Sequence, residues 1–273
     1  MKILIIGDSC KDVFIYGKVT RLTPEAPVPV FNPVEEKSND GMARNVSNNV
    51  EALSSSVITI TNPNSIRKVR YVDDKSNQLV LRVDEHDYCE KIKEEVLTSV
   101  KNNKCQPYFG ETEVVDAIII SDYDKGFLHH DDIAAICKHN KNVFVDTKKK
   151  LDSWISDVDF LKINDLEYEQ NKEFFDSSKD ILEKTIVTRG RKGCEFQGKI
   201  YPTEDVPVKD ISGAGDTFLA GLVVEYVKSN DIIRAIKFAQ ECTKIVVQKH
   251  GVSTVWLIFI SILIRLLLYE KCY

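Results

Sequence analysis

Five short apolar runs, KILIIGD, DAIIISD, NVFVD, DFLKIN and KTIVTRG, are spread along the chain, with longer stretches of helical spacing between them. The runs are continuously apolar rather than alternating, the pattern of strands that bury both faces. Such strands need cover above and below. The pattern therefore points to an α/β fold, a mostly parallel sheet between two layers of helices. Four of the five runs end in Asp or Asn, at Asp8, Asp122, Asp146 and Asn164. Ligands of open α/β sheets bind beyond the carboxyl ends of the strands, so these side chains are candidates for a site. Each is equally a turn former or a helix cap.

Two segments depart from this pattern. Val13 to Val34 mixes β-branched residues with Pro24, Pro27, Pro29 and Pro33, a composition suited to edge strands and rigid loops. Ile66 to Asp87 has the pattern of a hairpin turning at DDKSN. Together they predict a small sheet outside the main layer, such as a lid.

The net charge of −5 offers no basic field for nucleic acid, which excludes that class of partner. The seven cysteines are odd in number, with no C-x-x-C pair and no zinc spacing among the five histidines. They read as reduced, mostly core thiols of a cytoplasmic protein. The opening MKILIIGDSC has four consecutive strongly apolar residues before Gly7, too few for a signal-peptide core.

The stretch DISGAGDTFLAG, Asp210 to Gly221, carries the most specific chemistry. Gly213, Ala214 and Gly215 allow a tight bend and leave backbone amides uncovered. The apolar spacing after Asp216 predicts a helix, so the amides lie at a helix start, where an anion is favoured. Such a nest of donors can stabilise charge on a transferring phosphoryl group. A carboxylate beside an anion site is poor for binding alone, but it suits a base that takes a proton from an attacking hydroxyl. The alternative is that Asp216 simply caps the helix. Other phosphate motifs are absent: there is no G-x-x-x-x-G-K-[ST], and Phe218 stands where G-x-G-x-x-G needs glycine.

Two more groupings point the same way. Asn164 and Glu167 stand one helical turn apart after DFLKI, where they can hold magnesium and its waters near nucleotide phosphates, or form a capping box. Thr188, Gly190 and Gly193 follow TIV with three cations among them, a place for a triphosphate or a hairpin turn. The run KHNKNVFVDTKKK reads as solvated, although Lys148 follows a strand-end Asp and faces the site.

In this order the motifs resemble those of the ribokinase or PfkB family of sugar kinases over roughly residues 1–255. Within it, Gly7 to Phe31 with TPEAPVPV, then IIISDYDKGFL, VDTKK, KINDLEYE and KHGVSTV, are similar to the heptose 7-phosphate kinase domain of bifunctional ADP-heptose synthesis enzymes. The resemblance implies a three-layer sandwich with a β lid (about residues 13–34 and 66–87) that mediates a homodimer. It implies transfer from ATP, with magnesium and an optional monovalent cation, to C1 of D-glycero-β-D-manno-heptose 7-phosphate. Asp216 would be the base, and Gly213, Ala214 and Gly215 the anion hole. Asn164 and Glu167 would serve magnesium through water, and Thr188, Gly190 and Gly193 the nucleotide. Asp8, Gly41 and Asn45 would hold sugar hydroxyls, with Asp122 nearby. Lys68, Arg70, Arg82 and Lys148 are the cations available for the 7-phosphate.

The sequence also departs from that pattern. Asp40 replaces one of a pair of glycines and places a charge where the sugar should approach. Between Leu53 and Ser65 about one βα unit is missing, which implies a smaller sheet and a more open sugar pocket. No segment resembles a nucleotidyltransferase, so another protein would activate the product. Residues 256–273 form an apolar tail; the fifteen residues from Val255 to Tyr269 fall short of the roughly 20 that cross a bilayer as a helix, and Arg265 interrupts them. A buried or oligomer-covered helix is the first expectation, ahead of membrane contact or a non-native end. Two other functions stay open: a kinase for another sugar, sugar phosphate or nucleoside, and a catalytically silent binding subunit.

Overall fold

The computed structural model describes residues 1–53, 55–63, 66–103, 114–249 and 251–255. The chain opens with β1 (Lys2–Gly7), β2 (Ser9–Leu22), β3 (Pro29–Met42), α1 (Ala43–Ala52), β4 (Ser56–Thr61), β5 (Ile66–Asp73) and β6 (Leu79–Glu85). There follow α2 (Glu94–Lys101), β7 (Ala117–Asp122), α3 (His130–His139), β8 (Val143–Thr147) and β9 (Phe160–Asn164). After α4 (Asp165–Gln170), α5 (Lys172–Ser177) and α6 (Lys179–Glu183) come β10 (Thr185–Thr188), β11 (Cys194–Phe196) and β12 (Lys199–Tyr201), and last α7 (Ala214–Ser229) and α8 (Ile232–Val246).

The main sheet has the order β12-β11-β10-β9-β8-β7-β1-β4, parallel from β4 to β10 and antiparallel only where β11 and β12 are added. Alternate residues of each apolar run serve opposite faces. Leu4 and Ile6 pack with Ile118, Ile120, Leu97 and Ile133 on one side; Ile3 and Ile5 pack with Ile119, Val46, Leu219 and Ala239 on the other. Two cores, one per face, make the three layers that continuous apolar strands demand. Helix α7 is buried without interruption from Asp216 to Glu225, between the sheet and α8, and its stretch from Phe218 to Val224 is apolar all round.

A second sheet, order β3-β2-β5-β6, is the expected lid, and its β5–β6 hairpin turns at the predicted residues. It is larger than its proline-rich segment suggested: β2 begins at Ser9, and β3 continues to Met42, directly before α1. Between α1 and the lid strand β5 the described chain contains one strand, β4, and no helix, in keeping with the shortened connection. The tail from residue 256 lies outside the described residues. Among those described, no helix is long and apolar enough to cross a membrane. Cys10, Cys89, Cys137, Cys194 and Cys242 are free and buried.

Candidate active site

The bend before α7 is built by its own motif. The Asp210 carboxylate accepts from the Ser212 amide at 2.8 Å and the Gly251 amide at 2.9 Å, tying the bend to the loop that follows α8. Gly213 takes a left-handed conformation, φ 77°, and a Cβ there would lie 2.6 Å from Asn45 Nδ2. Both facts require glycine. The Ala214 amide donates to the Ile211 carbonyl at 3.1 Å and closes the turn.

Asp216, in the first turn of α7, is 5 % exposed. Asn45 Nδ2 donates to its Oδ2 at 2.7 Å, and the Tyr123 hydroxyl donates to Oδ1 at 2.8 Å. Burial pushes the carboxyl up to about 6, the bonds from Asn45 and Tyr123 pull it back, the charge of Asp146 raises it and that of Lys162 lowers it. A buried carboxyl with this value accepts a proton readily near neutrality. Helix α1 supplies Asn45 and locks it: Asn49 Nδ2 donates to the Asn45 carbonyl and side chain, and the Thr217 hydroxyl donates to Asn49 Oδ1.

A chain of charges runs from here toward α4. Lys162 Nζ lies 2.6 Å from Asp146 Oδ2, and Lys148 lies 3.6 Å from Asp146 Oδ1 and pairs with Glu167. Burial would raise the Asp146 carboxyl, but the two ammonium groups outweigh it and hold the carboxyl below its ordinary range. Burial would lower Lys148, but Asp146 and Glu167 outweigh that and hold it above its usual value. Asn164 and Glu167 form the capping box of α4, with both reciprocal bonds present. Each also turns toward solvent or a cation: Asn164 lines a cavity, and Glu167 faces Lys148.

That cavity, about 610 Å³, is lined by Tyr123, Asp146, Lys162 and Asp216. Its lining also includes Thr188, Gly190 and Gly193 and the apolar Val206, Val208, Ile211, Phe218 and Val247. A lining that combines charged groups with apolar side chains suits a phosphate-bearing planar ring. The Thr188 hydroxyl itself donates to the Ile163 carbonyl.

On the lid, Asp12 lies between Asn39 of β3 and Lys68 of β5 in register, and the cross-strand pairs Cys10–Gly41 and Arg70–Arg82 share its face. Asp12 Oδ1 accepts from Arg70 at 2.5 Å, and a Cβ on Gly41 would lie 2.2 Å from Asp12 Oδ2. Arg82 makes two bonds to Asp84, at 2.7 and 2.8 Å. Lys68 is buried, with its ammonium 5.3 Å from the centre of the Tyr123 ring.

Several expectations need correction. Asp8 is 0 % exposed, and its carboxylate is filled by the amides of Tyr123, Lys125 and Phe127 at 2.7–3.3 Å. It anchors a loop and has no atom free for a sugar. Asp122, also buried, accepts from Thr147 and Lys149 and is a structural ion pair. Lys148 sits with Glu167 and Asp146 on the cavity side rather than in the lid. Asp40 does not intrude on the sugar side: it pairs across the strand with Lys11 on the lid's opposite face, half in solvent. Asp12, Tyr123 and Lys162 are site residues that the sequence reading does not single out, and Asp146, named there only as a strand-end candidate, lines the cavity. Asp12 had one signal, a carboxylate two residues from Cys10 in phase with Lys68 and Arg70 across the sheet. Lys162 had none, lying inside an apolar run.

A bend of amides, a buried carboxylate and a cavity beside it agree with the comparisons to known proteins. The sequence profile described as pfkB family carbohydrate kinase matches residues 65–257. The chain belongs to that family. It is a carbohydrate kinase, transferring a phosphoryl group to an alcohol. Among curated pfkB relatives it is 30 % identical to the bifunctional protein HldE of Helicobacter pylori and 31 % identical to that of Helicobacter acinonychis. Each alignment covers 92 % of this chain and 63 % of the relative, so the chain spans less than two thirds of their length. Both run over 298 positions, more than the chain's 273 residues, so the relatives carry segments absent here. The fold is shared with the ribokinase of Thermotoga maritima, TM-score 0.68 at 17 % identity, covering 92 % of this chain and 94 % of that one. It is also shared with the nucleoside kinase of Methanocaldococcus jannaschii, TM-score 0.65 at 17 % identity, covering 95 % and 97 %.

Proposed function

We propose that this pfkB kinase transfers the γ-phosphoryl group of ATP to C1 of D-glycero-β-D-manno-heptose 7-phosphate. The observation that carries the reading is the place of Asp216, buried at the junction between the cavity and the lid's Asp12–Lys68–Arg70 face. The acceptor hydroxyl attacks the γ-phosphorus, its proton passes to Asp216, and the bond to the bridging oxygen breaks to release ADP. The amides of Gly213 and Gly215, at the positive end of the sixteen-residue α7, face the charge that develops on the transferring group. Ala214 contributes the turn that holds them. The nucleotide occupies the cavity with its base against the apolar side chains of the lining and its phosphates toward Gly190, Gly193 and Lys162.

For the acceptor, Asp12 and Asn45 suit sugar hydroxyls, and Lys68 and Arg70, with Arg82 behind them, suit a phosphate. The similarity to the HldE relatives, and the TPEAPVPV run of the lid, support a heptose phosphate. The Asp146 Oδ1 atom, buried without a hydrogen-bond partner and 3.6 Å from the Lys148 ammonium, is a hard oxygen donor that fits magnesium, and Glu167, whose oxygens accept from Asn164 and Lys148, would reach the ion through water. Among the described residues no group of three or more His, Cys, Asp or Glu could hold a metal, so the ion would keep most of its waters. Bound there, it would neutralise charge on the nucleotide phosphates. Leu22, Val28, Val34, Leu79 and Leu81 of the lid hairpins are each more than half exposed, which supports a homodimer through the lid. Free thiols support a cytoplasmic protein.

The test is an assay of ADP release over a panel of sugars and sugar phosphates. Heptose 7-phosphate should be preferred and yield the 1,7-bisphosphate, and Asp216→Asn should abolish turnover while retaining ATP binding. Preference for an unphosphorylated sugar overturns the acceptor, and full turnover by the variant overturns the base.

A further inference from the structure

Two donors from different elements hold the Asp216 carboxylate, and they are fixed in different ways. Asn45 belongs to a rigid helix–helix network. Tyr123 comes from the loop after β7, and its own amide donates to Asp8 Oδ2 at 2.7 Å. Its ring has the Lys68 ammonium of the lid 5.3 Å from its centre and the Lys148 ammonium of the cavity at 5.4 Å. One side chain thus touches the lid, the phosphate side and the carboxylate between them.

We propose that Tyr123 is a positioning residue for Asp216, its phenol fixing the carboxylate oxygens in the orientation that meets the acceptor hydroxyl as the lid cations bring the sugar phosphate in. The proposal rests on the reading of Asp216 as the base. A hydrogen bond to a carboxylate favours its ionised form, so the phenol also keeps the base able to accept a proton. The other groups facing Asp216 are Asn45 of α1, Cys10 of β2, Asp146 of β8, Lys148 beyond β8 and Lys162 of β9. Cys10 is pushed up to about 12, first by burial and then by Asp12, and stays a neutral thiol. Lys148 stays charged. Burial and the charge of Asp216 hold the Tyr123 phenol well above its ordinary value, so it remains a donor throughout the working range. Removing the hydroxyl therefore moves the Asp216 carboxyl one way, upward.

The experiment is a direct pH titration of Asp216 in the ligand-free full chain labelled with 13C at aspartate carboxyl carbons, the resonance assigned by its loss in Asp216→Asn. The midpoint should lie near 6 in the parent protein and rise by about one pH unit in Tyr123→Phe. Replacing Tyr123 with 3-fluorotyrosine, a stronger donor, should lower it. The acid limb of kcat/KM with the phosphorylated sugar should move by the same amounts in the same directions. A tyrosine that merely fills space would lower the melting temperature of the Phe variant and leave the midpoint unmoved. An unchanged midpoint in both replacements overturns the proposal, and the fluorotyrosine protein decides the matter alone if the Phe variant does not fold. The base reading fails by a different result, retained turnover in Asp216→Asn.

Discussion

Burial of Asp216 makes a prediction about stability that needs no substrate. The carboxyl has an ordinary value of 3.8 and titrates at about 6 in the folded protein. Between these values the folded chain holds a proton that the unfolded chain has released, so this group makes stability fall as the pH rises through the window. A gap of about two units at 1.36 kcal/mol each is about 3 kcal/mol, complete by pH 7 and absent below pH 4. Asp216→Asn removes the titration. Its amide nitrogen must then face a donor, Asn45 or Tyr123, at a cost of about 1–3 kcal/mol. That cost is the same at every pH and drops out when the variant is compared with the parent across pH. Asp146, the carboxylate whose charge couples to the site, is held below the ordinary range and stays ionised over most of the window. Urea denaturation of both proteins from pH 3.5 to 7.5 should show the variant gaining about 3 kcal/mol on the parent as the pH rises. Two curves that stay parallel over the whole range would refute the buried-charge reasoning, and with it one support for the proposal that Asp216 is the base.

Two further outcomes follow from contacts rather than charge. Gly41→Ala puts a carbon 2.2 Å from Asp12 Oδ2 and drives Asp12 from Arg70; steady-state kinetics should show KM for the sugar acceptor raised at least tenfold, with ATP affinity unchanged. Asp8→Asn replaces the acceptor of three loop amides, a loss of about 2–4 kcal/mol that chemical denaturation should detect; a loss in KM alone, with stability intact, would instead make Asp8 a sugar ligand.

The local rules of the chain reached far. Continuous apolar runs can be satisfied only by a sheet covered on both faces, so the three layers followed from hydrophobicity alone. The bend at Gly213 to Gly215 and the helix after Asp216 followed from which residues tolerate left-handed backbone and which spacing makes a helix. Tertiary structure decided what each polar side chain is for. Asp8, Asp122, Asp146 and Asn164 have the same sequence context, yet Asp8 and Asp122 are closed off by partners from a neighbouring strand's end, the loop after β7 for one and Thr147 and Lys149 for the other, whereas Asp146 and Asn164 line the cleft. Asp40 lies on the outer face of the lid through the period-two alternation of a strand whose extent the prolines had masked. Tyr123 and Asn45 meet across 78 residues of chain on a single carboxylate, and no local pattern encodes that meeting. Its cause is the packing of α1 and the loop after β7 against the start of α7.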